Sequence, residues 1–294
     1  MRLLLVGASG FIGRHVRARA AGFQVVTVSR SPGMGDLCLD LAAAAPAEVA
    51  ELIREETPDV VVNCGGVTRG DPAEMVSGNV VAVANLVAAL ASAPVRLIHL
   101  GSAAEYGHVP AGNPVTESTD PRPVGPYGIT KLAGTEIVRA ARSDAVVLRV
   151  FNPIGPGMPA STLAGRVAAG LRGGDGDDGE VRVGSLAAHR DFVDVRDVAD
   201  AILAAAGSPG PLPPVLNVGS GRATPLREVV TCLTEIAGPG RRIVEEATGG
   251  SARSAEVSWQ QADIGAIGRA LGWAPATDLT TSLRDLWEDT ACLT

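Results

Sequence analysis

The chain has 294 residues, 46% of them apolar but only 3% aromatic, so its core must be packed from Val, Leu, Ile and Ala. That length allows one large α/β domain or two domains sharing a cleft. A net charge of −7 argues against nucleic acid or an anionic membrane as the main partner, while allowing local basic sites for a small anion.

From the N-terminus, short Val- and Leu-rich runs at Leu3–Val6, Gln24–Val28, Val60–Asn63, Arg96–Leu100 and Val146–Val150 read as strands. Between them, Ile12–Ala21, Pro46–Glu56, Glu74–Ser92 and Tyr127–Arg142 read as helices. Continuous apolar strands alternating with helices predict a doubly wound, parallel α/β sheet covered on both faces. After Val150 the alternation loosens. The run from Gly173 to Gly179 reads as a solvated loop, because Leu186 stands where an EF-hand needs its bidentate Glu. Helices resume at Val195–Ala206, Leu226–Ala237, Ala262–Leu271 and Thr281–Thr290.

The four cysteines (Cys38, Cys64, Cys232, Cys292) form no C-x-x-C pair and the four histidines (His15, His99, His108, His189) are scattered. No metal site is read, and a reduced, cytoplasmic setting is expected. The N-terminal apolar run is too short for a signal peptide. Val80–Val95, interrupted by Asn85, Ser92 and Pro94, falls below what a bilayer span needs.

Gly7-Ala8-Ser9-Gly10-Phe11-Ile12-Gly13 follows the first strand and opens the first helix, the context that a dinucleotide fingerprint requires. Gly7 would permit the turn, Gly10 the approach of a pyrophosphate, and Gly13 close helix–strand packing. The helix start offers unpaired N–H groups and a positive dipole end. At the end of the second strand, where an acid would bind the ribose of NAD, the chain reads Val28-Ser29-Arg30-Ser31. Arginine and hydroxyls suit a 2′-phosphate, which favours NADP(H) over NAD(H), although NAD(H) stays possible.

A single lysine, Lys131, stands four residues after Tyr127, one of two tyrosines. Residues four apart share a helix face. A compact ammonium can touch a phenol oxygen and a neighbouring hydroxyl where a planar guanidinium cannot. It would favour the phenolate and bring the phenol, ordinarily near pKa 10, towards useful proton exchange. Ser102, at the end of the fourth strand, would face the same crevice and steady a substrate oxygen.

On these motifs the chain resembles the extended short-chain dehydrogenases/reductases that act on nucleotide sugars as epimerases, dehydratases and reductases. The resemblance covers essentially the whole length. It includes Asn63-Cys64-Gly65, Asn79, the Arg149–Pro156 stretch, Arg190–Val198, Asn217–Gly221, Arg253 and Leu271-Gly272-Trp273-Ala274-Pro275. It implies a dinucleotide-binding Rossmann domain over 1–152, to which segments near 191–218 return, and a smaller mixed α/β substrate lobe over 153–294. The implied catalytic set is Ser102, Tyr127 and Lys131. The implied cofactor contacts are Gly7, Ser9, Gly10, Phe11, Ile12, Gly13, Ser29, Arg30, Cys64, Gly65, Gly66, Asn79, Tyr127, Lys131 and Phe151, with Asp40 and Leu41 near adenine. The resemblance puts Thr68, Ser102, Ala103 and Asn152 near the sugar and Arg190 and Arg253 at a nucleotide diphosphate. Arg196 reads instead as a structural partner of Asp194 or Asp197.

Within that family, sugar 4,6-dehydratases carry Thr-Asp-Glu where this chain has Ser102-Ala103-Ala104, and alanines can neither give nor take a proton. The expectation is therefore NAD(P)H-dependent reduction of the C-4 keto group of a nucleotide-linked 6-deoxyhexose, with Tyr127 as general acid. An NDP-hexose 4-epimerase with bound NAD is the alternative, and a non-catalytic dinucleotide-binding protein a remote one. Glu105, before Tyr106-Gly107, departs from the family pattern for no reason visible in the sequence. The resemblance also implies a homodimer through the helices 74–92 and 127–142.

Overall fold

Along the first strand, Leu3 and Leu5 point to one side and Leu4 and Val6 to the other, and all four are buried. A strand can be apolar on both sides only where helices cover both faces of its sheet. The computed structural model, which describes residues 1–91, 93–141, 144–173, 180–240, 242–246 and 257–291, has that arrangement.

The first half runs β1 (Arg2–Val6), α1 (Phe11–Arg19), β2 (Gln24–Ser29), β3 (Leu37–Cys38), α2 (Pro46–Glu56), β4 (Val60–Asn63) and α3 (Pro72–Val76). It continues through a π-helical turn (Ser77–Val81), α4 (Ala82–Leu90), β5 (Arg96–Ser102), a 3-10 turn (Ala103–Glu105), α5 (Gly125–Ala140) and β6 (Ala145–Val150). Then come β7 (Asn152–Ile154), α6 (Leu163–Leu171), β8 (Glu180–Val183), β9 (His189–Asp194), α7 (Val195–Gly207) and β10 (Val215–Val218). The described chain ends with β11 (Ala223–Pro225), α8 (Leu226–Ala237), β12 (Arg242–Glu245), α9 (Gly265–Leu271) and α10 (Leu279–Ala291).

Seven strands form a parallel sheet in the order β10-β6-β5-β4-β1-β2-β3. The chain progresses outward from β1 in one direction through β3, then returns to β4 on the other side. The reversal between β1 and β4 opens a crevice at their carboxyl ends, the usual ligand position in such sheets. Val49, Ile53, Val83, Leu86, Leu90 and Val138 from α2, α4 and α5 cover one face. Val16, Val198, Ile202 and Ile267 from α1, α7 and α9 cover the other.

β7, β9 and β11 form a second sheet and β8 and β12 a third. With α6, α8 and α10 they enclose a separate core of Ile154, Val167, Val183, Val229, Leu233, Leu283 and Leu286. Asp194 joins the two regions. It caps α7 through Arg196 N at 2.8 Å, pairs with the Arg196 guanidinium, and accepts from Ser282 Oγ of α10 at 2.6 Å. Arg196 also pairs with Asp285, so the structural role expected for it is the one observed.

The differences from the sequence expectations have physical causes. Val215–Val218 is a strand of the main sheet, yet four residues, three of them apolar, carry no period that separates strand from helix. β7, β8, β9, β11 and β12 are three to six residues long and mostly carry polar positions. The expected helix 74–92 begins earlier, where Asp71 and Glu74 form a reciprocal cap, and is interrupted by the π-helical turn that buries Asn79. By length and composition alone the 19-residue helical run Pro72–Leu90, which overlaps the first part of Val80–Val95, is long and apolar enough to cross a bilayer. Here its Val83, Leu86 and Leu90 are core, and Asn85 Nδ2 donates to the carbonyls of Leu41 and Ala44. The acidic loop 174–179 lies outside the described residues.

Candidate active site

The crevice is lined on one side by the turn after β1. Gly7 has φ +77°, a conformation that favours glycine, and a Cβ there would lie 2.8 Å from Gly65 N of the turn after β4. A Cβ on Gly13 would overlap the Gly7 carbonyl, so α1 can pack against the turn only as glycine allows. Gly10 is the N-cap of α1; no side chain caps the helix and its first turn holds no acid. The first amides of α1 thus meet the crevice with their dipole unopposed. Ser9 and Gly10 are exposed, Phe11 and Ile12 half-buried. A bare helix start beside two glycine-containing turns fits the pyrophosphate of a dinucleotide.

At the end of β2, Ser29 is buried and its Oγ accepts from Ser31 N at 3.2 Å, while Arg30 is exposed. The nearby acid Asp36 is committed elsewhere, accepting from Thr27 N at 2.9 Å and Thr27 Oγ1 at 2.8 Å. Asp40 is exposed and its Oδ1 accepts from Ala42 N. Leu41 is buried in the core beneath α4, leaving little of its side chain for an adenine.

After β4, Asn63 Oδ1 accepts from Gly65 N and its amide donates to His99 Nδ1 at 3.2 Å, which shapes the Cys64-Gly65-Gly66 turn. Asn79 accepts from Val67 N at 2.8 Å and donates to Val67 O and Thr130 Oγ1. Its amide is used in holding that loop, so it acts on the crevice through Val67. Thr68 is exposed, and Arg69 donates to Ser161 O across to the second lobe.

On α5, Tyr127 is half-buried and Lys131 lies one turn later, 5% exposed. The Lys131 ammonium donates to the carbonyl of Leu100, two residues before Ser102. A Cβ on Gly66 would be 3.9 Å from it. The ammonium therefore sits at the carboxyl ends of β4 and β5. Burial lowers the Lys131 pKa, against the upward pull of the Glu105 carboxylate and of Cys64. Burial also pushes the Cys64 thiol up to about 12 and drives His99 well below its ordinary value, so both are neutral neighbours. Gly128 brings α5 against the turn that carries Ser102: a Cβ there would meet Ala104 O at 2.6 Å. Ser102 Oγ accepts from Ala104 N at 3.2 Å.

Glu105, singled out in the sequence without a role, is fully buried. Its carboxylate accepts from Ser102 N at 2.8 Å, Thr135 Oγ1 at 3.0 Å and Arg149 Nε at 2.7 Å. Arg149 lies over the Tyr106 ring, 4.6 Å from its centroid, and Tyr106 OH donates to Asn217 Oδ1 at 2.7 Å. Only the odd acid before Tyr106 hinted at this network; its basic partner lies 44 residues away.

On the substrate side, Ala103 and Phe151 pack with Tyr106, Val115 and Ala262. Phe151 has no exposed surface, and its N–H donates to Val218 O, so the residue supports the crevice from within the core. Asn152 Nδ2 donates to Asp191 O at 2.9 Å. Arg190 is buried, donating to Val257 O at 2.6 Å and His189 O at 2.8 Å, and burial lowers its pKa to about 10. Asp191 beside it anchors the 220–221 and 262 amides. Arg253 lies outside the described residues.

The model of the NAD dependent epimerase/dehydratase family matches residues 3–219, spanning the turn after β1, Ser102, Tyr127 and Lys131. The chain belongs to that family. It is an extended short-chain dehydrogenase/reductase, as its motifs imply. Among its relatives is a dTDP-6-deoxy-L-talose 4-dehydrogenase (NAD(P)(+)) from Kitasatospora kifunensis, 38% identical over 97% of this chain and 94% of the relative. A GDP-6-deoxy-D-mannose reductase from Pseudomonas aeruginosa is 31% identical over 98% and 96%. Among solved structures, MoeE5 in complex with UDP-glucose and NAD superposes with a TM-score of 0.85 at 29% identity, covering all of both chains. RMD from Pseudomonas aeruginosa complexed with NADPH gives 0.85 at 29%, covering 100% of this chain and 99% of that one. Both of these structures hold a nicotinamide dinucleotide, the class of cofactor that the turn after β1 and the start of α1 fit.

Proposed function

We propose that this chain reduces the C-4 keto group of a nucleotide-diphosphate-linked 6-deoxyhexose, with NADPH preferred. The observation that carries the proposal is the buried Lys131 ammonium at the ends of β4 and β5, one helical turn from Tyr127. Relatives named for a 4-dehydrogenase and a reductase of 6-deoxysugar nucleotides support it.

The backbone of the turn after β1 and the start of α1 would hold the pyrophosphate, and Lys131 the ribose next to nicotinamide. When bound, the dinucleotide supplies the hydride. Tyr127 donates its proton to the sugar oxygen as the carbonyl becomes an alcohol. Lys131, as a cation, lowers the cost of the phenolate left behind. Ser102 Oγ accepts from Ala104 N, which leaves its own proton to donate to the same sugar oxygen. Ala103 and Ala104 offer no acid or base, so the site is not equipped to eliminate water. The NADPH preference rests on exposed Arg30 and on Asp36 being committed to Thr27.

Arg253 is kept as the candidate diphosphate ligand, with Arg190 bracing the segment that follows it through Val257 O. Residues 1–152 with β10 and α7 act as the dinucleotide unit and the remainder as the substrate unit. A homodimer would cover Val76, Val81 and Ile129, exposed at 45%, 39% and 54% on packed neighbouring helices. A cytoplasmic setting fits the free thiols of Cys38, Cys64 and Cys232.

The test incubates the protein with NADPH and a dTDP-linked 4-keto-6-deoxyhexose, following NADPH loss and the C-4 alcohol together. Equal molar amounts of both support the reading. Interconversion of C-4 epimers without net NADPH loss would instead establish the epimerase.

A further inference from the structure

We propose that Glu105 is a positioning residue of this site, fixing Ser102 relative to α5 and supplying the negative charge that faces Lys131. The inference rests on the reading of Ser102, Tyr127 and Lys131 given above. One carboxylate bonds three elements: Ser102 N at the end of β5, Thr135 Oγ1 on α5 one turn beyond Lys131, and Arg149 Nε on β6. The distance from Ser102 to the helix that carries Tyr127 and Lys131 is thereby set by two hydrogen bonds to a single oxygen, Oε1. Gly101 makes room for that oxygen, since a Cβ there would lie 2.7 Å from it.

Charge adds a second role. The titratable groups that act electrostatically on Lys131 or feel its charge are Cys64 after β4, His99 on β5 and Glu105 on the 3-10 turn, and α5 itself carries Tyr127 one turn earlier. Arg149 of β6 pairs with the other oxygen of Glu105, Oε2, at 2.7 Å. Cys64 and His99 are neutral, so among the described residues Glu105 is the carboxylate that opposes the burial of the ammonium. A buried ion pair between Glu105 and Arg149 need not add stability over an apolar pair of the same shape. Its place beside Ser102 gives it a role in the geometry and charge of the site.

The experiment compares the full-length wild type with Glu105→Gln and Glu105→Asp, measuring NADPH affinity by its fluorescence from pH 6 to 10, then turnover and thermal midpoint. Affinity in the wild type should fall on the alkaline side as Lys131 loses its proton. Removing a negative charge lowers the pKa of every neighbouring acid, so Glu105→Gln should move that fall about one pH unit lower. Glu105→Asp keeps the charge and should leave it in place while both variants melt earlier. Because Glu105→Gln leaves Arg149 buried and unpaired, the double variant Glu105→Gln, Arg149→Met serves if the single one fails to fold; since it also removes a positive charge, its shift should run in the same direction but be smaller. Variants that only melt earlier, with the affinity profile unmoved, would overturn the proposal. A wild type with no alkaline fall would overturn the reading of Lys131 itself, and turnover of the keto sugar is not needed to see either result.

Discussion

The Lys131 ammonium donates to the carbonyl of Leu100, which ties α5 to the strand that ends in Ser102. Together with the two bonds to Glu105 Oε1, it fixes the register between the helix carrying Tyr127 and the strand end carrying Ser102. Gly128 completes the contact, with Ala104 O only 2.6 Å from where its Cβ would be. Gly128→Val should therefore push the first turn of α5 away from the Ser102 turn. Turnover should slow by about 10-fold or more, equivalent to about 1.4 kcal/mol in the barrier, with NADPH affinity changed much less. Steady-state kinetics beside a fluorescence titration of NADPH check it.

Gly13→Ala places a methyl group on the Gly7 carbonyl. Overpacking of this kind costs about 1–3 kcal/mol, and here it also displaces the amides at the start of α1. Dinucleotide affinity should drop by more than about 10-fold, together with the thermal midpoint. A titration that matches the wild type would remove the turn after β1 from the binding site.

Arg30→Ala should leave stability alone, because the side chain is exposed. A charge-assisted hydrogen bond to a 2′-phosphate is worth about 1.5–3 kcal/mol, so the NADPH-to-NADH ratio of kcat/KM should fall about 10- to 100-fold. The effect should lie in the KM for NADPH.

Burial works to raise the Asp194 carboxyl, but the hydrogen bonds from Arg196 and Ser282 outweigh it and hold the group below its ordinary value. A carboxyl depressed in the folded state contributes stability at pH values above its unfolded pKa. That contribution is lost as pH falls through the folded value. Asp194→Asn weakens charge-assisted hydrogen bonds and should cost about 1.5–3 kcal/mol at neutral pH and flatten the acid decline of stability. Thermal midpoints measured from pH 7 to pH 3 in both proteins give the comparison.

Apart from the two-residue β3, the strands up to β6 were legible because they are largely buried and read as apolar runs such as Val60–Val62. Later strands are short or polar. β9, His-Arg-Asp-Phe-Val-Asp, buries Arg190, Asp191 and Asp194, which no hydropathy pattern announces. The residues flanking the crevice were legible because glycines and a lone lysine carry local constraints. The uses of Glu105 and Asn79 were not, since both depend on partners 44 and 51 residues away brought near by the sheet and the π-helical turn. Arg190 shows the reverse case, where a charge read as a ligand is taken up by the backbone carbonyls of His189 and Val257.

Tyr127→Phe removes one hydroxyl from a half-buried position and leaves Lys131 and the turn after β1 in place. Turnover of a dTDP-linked 4-keto-6-deoxyhexose with NADPH should fall by about 10²–10⁴-fold while NADPH still binds. Near-full turnover in that variant would contradict the assignment of Tyr127 as the proton donor.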